Sequence, residues 1–218
     1  MKKNYFVGID VSKQTLDVAF IEVHNAERSQ PSWKVFDNNE KGLSSMKTWL
    51  QNNQVGLDGN TLFVIENTGL YHRRLMDFCN KHQLQLCIEN GAQVKWSLGI
   101  ARGKSDKVDS RRLATYALRF ADRLKPATAL QEGIQAIKDL ITLRNRHIVQ
   151  LSSLRTHLKE LKATTDGKAV KDLQKLHDPL MKAMKAAIQK IEAAIIKKIQ
   201  DNAVTKKQYH LLLSIPCI

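Results

Sequence analysis

Apolar residues follow two rhythms along this chain. Over roughly the first hundred positions they fall in short β-branched and aromatic runs parted by polar turns, which is how strands read. Tyr5–Val11 is one such run, and Thr15–Val23 is the next, after the turn Ser12-Lys13-Gln14. So short a link makes the two an antiparallel hairpin. Trp33–Phe36 is a third strand candidate, and Lys41–Asn52 then places Leu43, Met46, Trp49 and Leu50 on one helical face. A turn at Gly56, Asp58 and Gly59 leads into a buried strand at Thr61–Glu66. Tyr71–His82 reads as a helix with Leu75, Phe78 and Cys79 inward, Leu84–Glu89 as another strand, and Ala92–Ile100 as a short helix.

From Ser105 onward the rhythm is helical. Ser105 caps a helix to about Arg123, and Pro126 stops its extension. Residues 132–163 carry Ile134, Ile137, Ile141, Leu151, Leu154, Leu158 and Leu161 at three-four spacing, with a break at Arg144–His147. Thr164–Gly167 is a turn, Asp178-Pro179 a cap with a first-turn proline, and Met184, Ile188, Ile191 and Ile195 form a second stripe over 179–201. Two such helices make a hairpin or coiled coil that pairs with a second copy of the chain. Three strands in a meander, then alternating helices and strands, is the element order of a ribonuclease H-like α/β fold. The expected organisation is thus an α/β domain over 1–125 and an α-helical hairpin over 126–208. The apolar run 209–218, ending Ile215-Pro216-Cys217-Ile218, reads as the start of a truncated carboxyl-terminal domain.

Charge sharpens this picture. The net charge is +14, yet residues 1–94 hold ten basic and ten acidic side chains, and the remainder holds 25 against 11. A neutral part joined to a strongly basic part suits a catalytic core attached to a polyanion-gripping surface. Cys79, Cys87 and Cys217 form no CxxC pair and the histidines form no metal motif, so reduced thiols are expected and a zinc enzyme is disfavoured. No apolar stretch approaches the roughly 20 residues that span a bilayer. With no signal segment at the amino terminus, a soluble, cytoplasmic protein is expected.

Four carboxylates carry the chemistry. Asp10 and Glu66 each end an otherwise apolar strand, where a carboxylate is costly to bury unless paired or metal-bound. Asp106 and Asp109 share one face in the first turns of a helix. Singly, each reads as a turn residue or a helix-dipole partner. Together they meet what two-metal phosphoryl chemistry demands: hard oxygen ligands holding Mg²⁺, or Mn²⁺, ions roughly 3.5–4 Å apart. Lys13, Arg102, Lys104, Lys107, Arg111 and Arg112 surround them in sequence and are candidate phosphate contacts.

Three blocks carry a family resemblance: Gly8-Ile9-Asp10-Val11-Ser12-Lys13, Glu66-Asn67-Thr68-Gly69-Leu70-Tyr71 and Lys104-Ser105-Asp106-Lys107-Val108-Asp109. In order and spacing they resemble the signatures of the DEDD-type transposases of insertion sequence 110, which include the Piv-type DNA invertases. The resemblance implies a RuvC-like domain that binds Mg²⁺ through Asp10, Glu66, Asp106 and Asp109, and a coiled coil. It also implies a structured guide RNA that pairs with DNA, and a serine nucleophile beyond Ile218; Cys217 replaces a glycine usual in the family. Strand exchange by a dimer or higher oligomer is the function implied. Two other readings stay open: a stand-alone RuvC-like junction-resolving nuclease, and a non-catalytic nucleic-acid-binding oligomerisation module. An actin-like ATPase would need glycines to cradle phosphate, and Val11-Ser12-Lys13 supplies none.

Overall fold

The computed structural model describes residues 3–24, 27–99, 106–128 and 133–215, apart from the side chains of Leu98, Asp106 and Lys107. The chain forms two compact units, 1–129 and 130–218.

The first unit is built on one sheet. Strand β1 (Tyr5–Val11) pairs antiparallel with β2 (Thr15–His24), Asp10 opposite Asp17, and parallel with β5 (Thr61–Glu66), Ile9 beside Ile65. Beyond β2 lie the two-residue β3 (Glu27–Arg28) and β4 (Ser32–Asp37); beyond β5 lies β6 (Gln85–Glu89), parallel, with Glu66 beside Glu89. The order β4-β2-β1-β5-β6, antiparallel on one side of β1 and parallel on the other, is the ribonuclease H-like (RuvC-like) arrangement. The expected strands all form. β3 is an addition too short for any periodicity to announce.

Both faces of the sheet are covered, so its central strands are apolar throughout rather than alternating. Val7, Ile9, Leu16 and Val18 face Leu43, Met46 and Leu50 of α1 (Glu40–Asn52) and Leu75 and Cys79 of α2 (Arg73–Lys81). Phe6, Leu62, Val64 and Cys87 face Val94 of α3 (Gly91–Leu98) and Leu113, Tyr116 and Ala117 of α4 (Asp106–Phe120). Gly8 sets how closely α4 approaches: a Cβ there would collide with the backbone of Ser110, Leu113 and Ala114. Cys79 and Cys87 are buried free thiols, and burial pushes them up to about 12 and about 11.

The second unit is helical: α5 (Ile134–Thr164), α6 (Gly167–Gln200) and α7 (Ala203–Leu213). The α5–α6 hairpin corrects one expectation. Helix α6 starts at Gly167 and runs through Pro179, instead of starting at the Asp178-Pro179 pair. Packing on both sides of the proline explains it, because Val170 and Ile191 are both buried. Leu151 and Leu158 of α5 are buried as well, and Arg144 Nε reaches Glu192 Oε1 at 2.7 Å. The residues from Tyr209 to Leu213 are the end of α7. No described helix is long and apolar enough to cross a membrane.

Candidate nuclease site

Strand register places the site. Asp10 lies opposite Asp17 on β2, Glu66 lies beside Glu89 on β6, and Asp10 and Glu66 stand one step past the Ile9–Ile65 pair. Four carboxylates thus form one row across β2, β1, β5 and β6. Side chains alternate along a strand, so Asp10 shares its face with Phe6 and Gly8, and Glu66 shares its face with Leu62 and Val64. That is the face on which α3 and α4 pack. Adjacent strands lie about 4.8 Å apart across the sheet, which is the backbone spacing between neighbouring members of the row.

Each member is held differently. Asp17 is buried, and its Oδ1 accepts from Trp33 Nε1 at 3.2 Å. Glu89 Oε2 accepts from the Tyr116 hydroxyl of α4 at 3.2 Å. Burial, and next the charge of Glu89, push Tyr116 above the usual phenol range. The Glu66 carboxylate sits in the space a Cβ of Gly91 would fill, at the start of α3. Glu66, Asn67, Glu89, Asn90 and Gly91 line a polar cleft of ≈ 500 Å³. Asp10, Glu66 and Asp109 are half-buried. Asp109 lies on α4 next to Ser110, whose backbone packs on Gly8, so α4 carries it over the strand that bears Asp10.

Asp17 and Glu89 join the row without being among the residues expected from the sequence. Each has a signal in the sequence: a turn centred on Lys13-Gln14 sets 12 against 15 and so 17 opposite 10, and Glu89 ends an apolar strand just as Glu66 does. Asp106 begins α4, with its side chain outside the described residues. Among the described residues, no three His, Cys, Asp or Glu side chains form a group fit to hold an ion. The donor chemistry nonetheless suits a hard divalent cation, since adjacent strand ends offer carboxylate oxygens and Gly91 leaves room for one of them.

The basic candidates are distributed unevenly. Lys13 is exposed in the β1–β2 turn, at the Asp10 end of the sheet, where Ser12 Oγ accepts from Thr15 N at 2.8 Å. Arg112 Nη2 donates to the carbonyl of Gly99 at 2.8 Å, and Arg111 Nη2 to that of Pro31 at 3.4 Å, so both tie α4 to neighbouring loops. Lys107 lies in the first turn of α4. Arg102 and Lys104 lie outside the described residues.

Below the Asp10 end of the sheet, Asn38 Nδ2 donates to the carbonyls of Ser12 at 2.8 Å and Tyr71 at 3.0 Å, which fixes the loop after Glu66. His72 follows, buried, with Nδ1 lacking a partner; burial, and then Arg73, hold it below the usual imidazole range.

Residues 7–165 match the DEDD-type family of insertion sequence 110, described as transposases. The pilin gene-inverting proteins of Moraxella bovis and Moraxella lacunata are each 32% identical over 167 residues, 74% of this chain and 48% of theirs. The chain spans about half the length of these curated relatives. A solved structure of Thermus thermophilus RuvC with a Holliday junction substrate overlaps 56% of this chain and 99% of its own, at 12% identity and a TM-score of 0.42. The fold assignment rests on the strand order, not on that overlap.

Proposed function

This chain belongs to the DEDD-type transposase family of insertion sequence 110, and from that premise we propose that it carries the nuclease core of a DNA recombinase of a mobile element. The supporting observation is the row that sets Asp10 beside Glu66, with α4 bringing Asp109 over β1. Asp10, Glu66, Asp106 and Asp109 would hold Mg²⁺, or Mn²⁺ in its place. A divalent ion supplies charge neutralisation at the phosphodiester and a more acidic attacking oxygen. The protein's own part is to hold the carboxylates ionised and converging, and to bring a phosphate to them. Lys13, exposed in the β1–β2 turn, and Lys107, in the first turn of α4, would meet the phosphate backbone; Arg111 and Arg112 brace the helix that carries Asp109. Relatives named for inverting pilin genes support strand cleavage and exchange on DNA as the reaction class. The same reading includes a structured guide RNA as partner and self-association through the α5–α6 hairpin. The serine nucleophile is assigned to none of these 218 residues.

Binding of Mn²⁺, followed by the loss of its free paramagnetic signal, tests the proposal. Asp10→Asn and Glu66→Gln should each weaken binding by tenfold or more, roughly the loss of one charge-assisted ligand. Wild-type affinity in both variants would refute the metal reading.

A further inference from the structure

Among the described residues of 1–129, four large apolar side chains are left in solvent. Leu70 and Tyr71 follow β5, and Trp96, 84% exposed, follows β6; Val35 on β4 is the other. Glu66 and Glu89 end their strands and Asp10 stands one residue before the end of β1.

Helix α3 dictates where the Trp96 ring points. Val94 is buried with Leu62, Val64 and Leu113, and Trp96, two residues on, is turned about 200° around the helix from it. The helix itself is well held. Asn90 Oδ1 accepts from Ala92 N at 2.9 Å at one end, and Arg112 ties Gly99 at the other. The other two indoles are engaged: Trp33 donates to Asp17, and Trp49 packs on Phe20 and Phe36. A fixed backbone therefore carries one indole into water, with the exposed Lys95 beside it and the carboxylate row on the same face of the sheet.

A flat aromatic in that setting has the chemistry of a stacking platform. Its π face accepts any base, but only a base not already stacked within a closed duplex. We propose that Trp96 stacks on an unpaired nucleobase next to the strand held at the Asp10–Glu66 row, so that the substrate is locally single-stranded. This rests on the nuclease reading above for the identity of the ligand.

The test uses the whole 218-residue chain, without divalent ions, titrated with oligo(dT) and with a blunt hairpin duplex of equal phosphate number. Affinity comes from the anisotropy of a labelled strand and stacking from tryptophan emission. Oligo(dT) should quench the wild type, and the quench should vanish in Trp96→Phe. Trp96→Ala should lose roughly tenfold in single-strand affinity and under about twofold in duplex affinity, while Trp96→Phe keeps most of both. Unchanged emission at saturation, equal losses on both ligands, wild-type affinity in Trp96→Ala, or no single-strand binding would each overturn the stacking role. Mn²⁺ binding keeps the two readings apart. Metal affinity that ignores both Asp10→Asn and Glu66→Gln removes the carboxylate reading and leaves the stacking result standing, and normal metal binding with no quench does the reverse.

Discussion

His72 is a buried imidazole whose environment favours the neutral form, because burial and the adjacent Arg73 hold it below its ordinary 6.5. The sign follows from linkage. Above 6.5 neither the folded nor the unfolded chain binds this proton, and the contribution is fully present. As pH falls through the lowered folded value, the unfolded chain takes the proton first and stability is lost. Urea unfolding between about pH 7.5 and pH 5 should therefore show a fall that is shallower in His72→Gln. Parallel curves for the two proteins would show that His72 does not titrate differently on folding. The carboxylates were only partly legible at this scale. Asp10 and Glu66 announce themselves because a charge ends an apolar run. Asp17 is hidden inside its run, and only the hairpin register reveals that it faces Asp10. Arg111 and Arg112 look like phosphate contacts in sequence, yet each donates to a loop carbonyl, and side-chain reach of that kind leaves no trace in spacing.

Helix α6 shows why propensity alone misplaced an element. Asp178-Pro179 has the form of a helix start, but the stretch before it is already helical and buries Val170. A proline inside a helix removes one hydrogen bond and crowds the preceding turn, at about 3 kcal/mol. Packing along α5 offsets that cost, and periodicity weighs such packing poorly when it is spread over thirty residues. The strands were far more legible, because burial on both faces leaves continuous apolar runs of limited length between turns. Pro179→Ala should restore the missing bond and raise the stability of the hairpin by up to about 3 kcal/mol, seen as a higher midpoint in thermal unfolding followed by circular dichroism. An unchanged or lower midpoint would show that Pro179 costs the hairpin no stability. The stripe at Ile191 is consumed within the chain, whereas Leu176 is 77% exposed. Self-association through the hairpin would therefore use the Leu173, Leu176 and Leu180 side of α6.

Over the whole molecule, charge separates binding from chemistry. Residues 95–129 carry a net +6 and residues 130–218 a net +8, so both compact units share the excess while the sheet strands contribute none. A polyanion held by such a surface releases condensed counterions, and log K falls with log salt by about 0.9 for each phosphate neutralised on duplex DNA. The chain should therefore bind RNA and DNA duplexes with steep salt dependence. Lys182, Lys185 and Lys190 on α6 are exposed and have no structural bond to lose, unlike Arg111 and Arg112. Changing all three to Gln should flatten the slope by about 0.9 for each lysine that meets a phosphate, without changing helicity. Asp109→Asn removes one negative charge and should leave this binding intact or tighten it, while weakening the Mn²⁺ binding proposed above. Salt titrations of the three proteins against both duplexes read these outcomes directly. A slope near zero, or identical slopes for wild type and the triple variant, would reduce the lysines of α6 to a solvated surface. The grip would then fall to residues 95–129, the basic stretch of the unit that carries the carboxylates.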